Sequence, residues 1–131
     1  MNIIQSINPR ICFDYNSNYL LRKVYGSTRL HIDNISEIID GNNIVFLKNN
    51  NKYIGDLFVR TASIIFALND DYDGGIFNFP YYDIKIKLKK GSVIIFPPYW
   101  THEHEVYTVE NNTYRYTLST WSCMKINSIS I

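Results

Sequence analysis

Residues Gly91 to Trp121 read GSVIIFPPYWTHEHEVYTVENNTYRYTLSTW, three extended segments in succession. Ser92 to Phe96 is a short run rich in β-branched residues, closed by Pro97-Pro98. His102 to Val109 alternates, Glu110-Asn111-Asn112 turns the chain, and Thr113 to Trp121 alternates again. Side chains of a strand point alternately to its two faces. Arg115, Thr117, Ser119 and Trp121 therefore share one face, and Tyr114, Tyr116, Leu118 and Thr120 the other. An arginine on an inward face must meet an anion, because a buried guanidinium without a partner is costly. No such anion is evident among its sequence neighbours, which is the first sign of a bound ligand.

Working outward, the rest of the chain repeats this pattern. Lys89-Lys90-Gly91 turns into the quoted stretch, and before it Asp83 to Lys87 alternates strictly, as a strand buried on one side does. Ile76 to Phe79 and Phe58 to Asn69 read as strands around the polar turn Asp70 to Gly75, where Gly74-Gly75 serves turn geometry. Asn-rich turns bracket a strand at Ile44 to Leu47. Asn34 followed by Glu37 has the form of a helix start and Gly41 of its stop, giving a helix of a turn or two. Tyr19 to Tyr25 and Leu30 to Asp33 are extended, and Ile11 to Tyr15 adds a further short strand. Some eight short strands with turns every eight to twelve residues and almost no helix describe an all-β sandwich or barrel.

The bulk properties fit one domain spanning residues 1–131, long enough to bury a core. Hydrophobic residues at 46% and charged residues at 19% place it among globular chains, and an aromatic share of 15% favours strands. A formal net charge of +1 gives no general attraction to nucleic acid or anionic lipid, so neither is expected as a partner. Cys12 and Cys123 lack metal-type spacing and are read as reduced thiols. With neither a signal peptide nor an apolar run near the ~20 residues of a membrane span, a soluble, cytoplasmic protein is expected.

Chemistry is concentrated in few residues. The three histidines are His31, His102 and His104, and His31 forms an H-x-D unit with Asp33, whose side chain shares its side of the strand. On its own such a pair is an ordinary surface hydrogen-bonding unit. Joined by a histidine from a distant strand, either His102 or His104, it makes a two-His, one-carboxylate facial triad. That arrangement leaves coordination positions open and is diagnostic of non-haem Fe(II) oxygenases.

Five blocks in register then resemble the 2-oxoglutarate- and Fe(II)-dependent dioxygenases, most closely their prolyl 4-hydroxylase-like branch. They are LHID with His31 and Asp33, RTASIIFALNDDYDGGIFNFP from Arg60 to Pro80, GSVIIFP from Gly91 to Pro97, HEVYTV from His104 to Val109, and RYTLSTW from Arg115 to Trp121. The resemblance spans roughly residues 19 to 121 and implies a double-stranded β-helix, or jelly-roll, core. It selects His104 as the distal iron ligand beside His31 and Asp33, leaving His102, of the same strand parity, as a second ligand candidate or a substrate-side group. It implies that Arg115 grips the far carboxylate of 2-oxoglutarate, with Thr117 and Tyr25 as further contacts and Trp121 near the substrate. The implied cofactors are Fe(II), 2-oxoglutarate and O2, with ascorbate as an accessory reductant, and the reaction is hydroxylation of a C–H bond. A peptidyl proline or related protein or peptide side chain is the first substrate class and a free small molecule the second. A non-catalytic jelly-roll binding or assembly module is the main alternative, and a cupin-type metalloprotein without 2-oxoglutarate is another. Two departures stand out. The interval from His104 to Arg115 is one residue longer than the family pattern, which enlarges the turn at Glu110 to Asn112. Only thirty residues precede His31, so a partner or self-association is expected to cover the face that longer members buttress.

Overall fold

Strand pairing organises the chain around two long segments. In this computed structural model residues 15–33, 36–40, 43–44 and 54–130 are described. The strands in chain order are β1 (Tyr15–Asn16), β2 (Leu20–Val24), β3 (Thr28–His31), β4 (Ser36–Asp40), β5 (Asn43–Ile44), β6 (Ile54–Ala67) and β7 (Asp73–Gly74). They continue with β8 (Phe77–Phe79), β9 (Ile84–Ile86), β10 (Val93–Phe96), β11 (His104–Val106), β12 (Val109–Glu110) and β13 (Arg115–Ser130). The long strands β6 and β13 pair antiparallel along most of their length. On its other edge β6 holds β10 and β4, and β13 holds β2 and β1. A smaller sheet runs in the order β3-β11-β8-β9, and β7 and β12 pair separately. The two sheets face each other as a jelly roll, which is the expected fold class.

The interior between the sheets is divided. Ala67, Phe77, Phe79, Leu88, Phe96 and Val106 pack together, with Ile65, Ile86 and Ile94 against them. Fully burying a side chain such as Phe77 contributes about 1.5–3 kcal/mol. Beyond this apolar part the inward positions turn polar: Ser63, His104, Arg115, Thr117 and Ser119 are all buried. So many buried polar side chains on one side of a sandwich need partners, and that requirement locates the site.

Several expectations change on contact with the structure. The segment with a helix-start signature forms strand β4 instead, with Ser36 opposite Val59 and Ile39 opposite Asp56. A free edge of β6 offers a ladder of hydrogen bonds that a two-turn helix lacks, and tertiary pairing overrides a local cap signal. The alternating run before Lys89 forms only Ile84–Ile86, at the edge of the small sheet, where Ile84 remains 45% exposed. His102 lies on a 3-10 turn (Trp100–His102), so strand parity does not carry it inward. The strand expected at Ile11 to Tyr15 is described only from Tyr15, and that at Ile44 to Leu47 only at its first residue. Cys12 lies outside the described residues, while Cys123 is buried on β13. The Gly74-Gly75 turn is as expected. Gly74 has φ +66° and a Cβ there would collide with the Thr108 carbonyl oxygen, so only glycine fits. In the lengthened turn Asn111 and Asn112 both take φ of 54°, a conformation asparagine tolerates. No helix among the described residues is long and apolar enough to cross a membrane.

Candidate metal centre

Two neighbouring strands of the small sheet bring the first two imidazoles together. His31 ends β3 and His104 begins β11, directly opposite in the ladder, so their rings lie 4.4 Å apart between centroids. Asp33 follows two residues after His31 and folds its carboxylate against both. The ligand atoms of His31, Asp33 and His104 all lie within 4.8 Å of one another. His31 Nε2 is 3.2 Å and His104 Nε2 3.9 Å from Asp33 Oδ1.

Each ring is held from behind. His31 Nδ1 is 2.8 Å from the Arg29 carbonyl and His104 Nδ1 is 3.0 Å from the His102 carbonyl. A carbonyl can only accept, so both Nδ1 atoms carry the proton and both Nε2 atoms face the carboxylate, as metal-binding histidines require. His104 is 3% exposed, with Phe79 stacked 5.5 Å and Phe96 edge-on 4.7 Å from its ring. The other carboxylate oxygen, Asp33 Oδ2, accepts hydrogen bonds from Ser63 Oγ at 2.6 Å and Trp121 Nε1 at 3.0 Å.

These contacts set the charge states. Burial alone would raise the Asp33 carboxyl, but hydrogen bonds from His31, Ser63 and Trp121 more than reverse it and hold the group well below the usual carboxylate range. The hydrogen bond to Asp33 raises His31 above the ordinary imidazole value against the opposing effect of burial. His104 moves the other way, because its burial outweighs the attraction of Asp33.

The cavity that holds these three groups also reaches Arg115 and Thr117, with Arg22, Thr28 and Ser119 along its wall. Arg115 is 5% exposed and packs over the Phe77 ring at 4.9 Å. Its Nε and Nη1 are buried with no hydrogen-bond partner, and no described carboxylate pairs with it. Burial lowers its pKa, yet a guanidinium stays charged in proteins. The result is a buried cation aimed into a cavity, with no anion opposite it among the described residues.

Comparison with known proteins gives a family and a fold. The profile of the 2OG-Fe(II) oxygenase superfamily matches residues 18–123. The chain belongs to this superfamily. Among solved structures, the viral collagen prolyl hydroxylase vCPH of Paramecium bursaria chlorella virus-1 in its 2OG complex has a TM-score of 0.59 at 20% identity, covering 92% of this chain. A truncated form of that protein gives 0.59 at 19% identity, also over 92% of this chain. The chain spans 66% and 62% of the length of those two proteins, less than two thirds of each. None of the curated proteins compared matches the sequence.

Superfamily membership brings Fe(II), 2-oxoglutarate and O2 as cofactor and cosubstrates, and the residues present fit them. Two imidazole nitrogens and one carboxylate oxygen suit a ferrous ion with open positions. The unpaired Arg115 nitrogens suit a carboxylate, which a guanidinium can grip through two hydrogen bonds.

Of the residues singled out in the sequence, His31, Asp33, His104, Arg115, Thr117 and Trp121 line the one cavity. Tyr25 does not: it follows the end of β2, is 74% exposed and lines a different surface recess. His102 also stands apart, its ring 5.0 Å from Tyr82 at an apolar recess of about 240 Å³ with Phe79, Ile84, Ile94 and Phe96. Its carbonyl, not its ring, serves the site. Ser63 and Arg22 were not anticipated. Ser63 is the serine of the matched RTAS block, and its register partner on β13 is Trp121, which was the available signal.

Protonation gives a first prediction. If His31 is a ligand, metal loading displaces the proton that its Nε2 shares with Asp33, while Nδ1 keeps its own on Arg29. Because His31 titrates above 6.5, Fe(II) affinity should fall by about tenfold per pH unit once the solution is more acid than that raised value. His104 and Asp33 hold protons only at lower pH and add their competition there. Anaerobic Fe(II) titrations across pH 5 to 8 should show affinity falling towards the acid end, with proton release on binding; flat affinity over that range contradicts the assignment.

Proposed function

We propose that this oxygenase is a 2-oxoglutarate-dependent hydroxylase of a protein or peptide side chain, with peptidyl proline as the first candidate. The carrying observation is one cavity with a His-Asp-His donor set at one part of its wall and a buried, unpartnered guanidinium at another. When bound, Fe(II) with 2-oxoglutarate and O2 supplies oxidative decarboxylation to succinate and CO2 coupled to insertion of one oxygen atom into a substrate C–H bond.

The chain's residues orient and enclose. On this reading His31, Asp33 and His104 hold the ion, Arg115 fixes the far carboxylate of the keto-diacid, and Thr117 adds a hydroxyl on the same face. The Phe79 and Phe96 rings keep water from the buried side of His104. The peptide preference rests on two supports. The neighbouring viral enzyme is named a collagen prolyl hydroxylase. The recess beside His102 has uncharged, mainly apolar walls, which suit apolar side chains. We also propose that one domain carries all these parts.

The test has two steps. Mixing the protein anaerobically with Fe(II) and 2-oxoglutarate should produce the weak visible charge-transfer band of a chelated keto acid. Admitting O2 with proline-containing peptides should add one oxygen to the peptide by mass spectrometry. No band refutes the oxygenase site. A band with hydroxylation only of free small molecules refutes the peptide substrate alone.

A further inference from the structure

We propose that Ser63 and Trp121 act as a clamp that restricts Asp33 to ligation through a single oxygen. The inference rests on the reading of Asp33 as an iron ligand and goes beyond it, to residues that never touch the ion. The carboxylate is used asymmetrically. Oδ1 faces both Nε2 atoms, at 3.2 Å and 3.9 Å, while Oδ2 accepts Ser63 Oγ at 2.6 Å and Trp121 Nε1 at 3.0 Å. An ionised carboxylate oxygen offers about two acceptor sites, so Oδ2 is filled.

The sheet register builds the clamp. Ser63 on β6 and Trp121 on β13 are direct cross-strand partners, so their side chains stand together on the inward face. Ser63 is 1% exposed, and Arg60 lies 4.1 Å over the Trp121 ring, steadying its plane. Turning Asp33 to offer both oxygens would break two buried hydrogen bonds at once. One-oxygen ligation would matter to a bound ion, because three protein donors would leave more of its positions open to cosubstrates than four would. Ser63 and Trp121 are thus positioning residues that keep those positions available.

Co(II) is a redox-stable probe of this arrangement, since its visible absorption reports coordination number. Ser63→Ala and Trp121→Phe each remove one donor with little change of shape. Each is expected to weaken Co(II) binding by about 10–100-fold and to change the visible spectrum of the Co(II) protein. Ser63→Thr, which keeps a hydroxyl, should restore both, and the melting temperatures of the metal-free proteins should stay close to the parent's. Affinity and spectrum unchanged in both variants overturn the clamp, as does weaker binding with an unchanged spectrum. If the parent binds no Co(II), the metal centre itself fails, and the clamp with it.

Discussion

Asp33→Ala is expected to lose more than about 100-fold in Fe(II) affinity and to leave 2-oxoglutarate consumption at background. Groups that hold a metal ligand in place typically contribute 10–100-fold each, and on the proposed reading this change removes an anionic ligand together with the acceptor for two such groups. Ser63 Oγ and Trp121 Nε1 would lose the oxygen they now share, and His31 would lose the carboxylate that raises its pKa. His104→Ala should be equally damaging, because no other described imidazole approaches the point where His31 and Asp33 meet. His102→Ala is the informative control. Its ring packs on Tyr82 and only its backbone carbonyl holds His104, so metal binding should survive. Anaerobic Fe(II) titration and succinate formation check all three. Full turnover by Asp33→Ala, or loss of metal in His102→Ala to the same degree, would sink the donor assignment.

That contrast between His102 and His104 also shows how far the sequence could be read. Alternation over Arg115 to Trp121 is a strong signal, because a strand's two-residue period separates buried Arg115, Thr117 and Ser119 from exposed Tyr114 and Tyr116. The same reasoning over-reached at His102, where parity was assumed through a stretch that turns. The resemblance preferred His104, and of the two late histidines it is the one paired across β3, opposite His31. A cap-like Asn34 and a following Gly41 suggested a helix, while over Ser36–Asp40 the open edge of β6, distant in sequence, decided for a strand. Tyr25 failed for a related reason: proximity to the H-x-D strand says nothing about which way a residue past a strand end points. Ser63 was visible as a fixed position of a block, yet its role depends on register with Trp121, which composition and spacing do not encode. The local periodicities were legible; the pairings between distant segments were not.

Arg115→Met should move stability and cosubstrate binding in opposite directions. In the ligand-free protein Arg115 is a buried charge with two unpartnered nitrogens, and burial already lowers its pKa. Replacing poorly compensated buried charges by apolar side chains of similar size is neutral or stabilising by about 1–4 kcal/mol. The thioether chain can lie over Phe77 much as the guanidinium does now. The ligand-free variant should therefore melt no lower than the parent, and by as much as several degrees higher. Truncating one partner of a buried, hydrogen-bonded charge pair costs about 2–5 kcal/mol of binding, so 2-oxoglutarate affinity should drop by roughly 30- to 4,000-fold. At a concentration about 100 times the parent's dissociation constant the keto-diacid would stabilise the metal-loaded parent by about 2.7 kcal/mol, and under the same conditions it would stabilise the variant by at most about 0.9 kcal/mol. Arg115→Lys keeps the charge without the planar fork and should fall between the two. Thermal melts of the Mn(II)-loaded proteins with and without 2-oxoglutarate read both effects in one experiment. If Arg115→Met is stabilised by 2-oxoglutarate as strongly as the parent, the guanidinium is not the carboxylate's partner, and the cation's burial must serve some other anion.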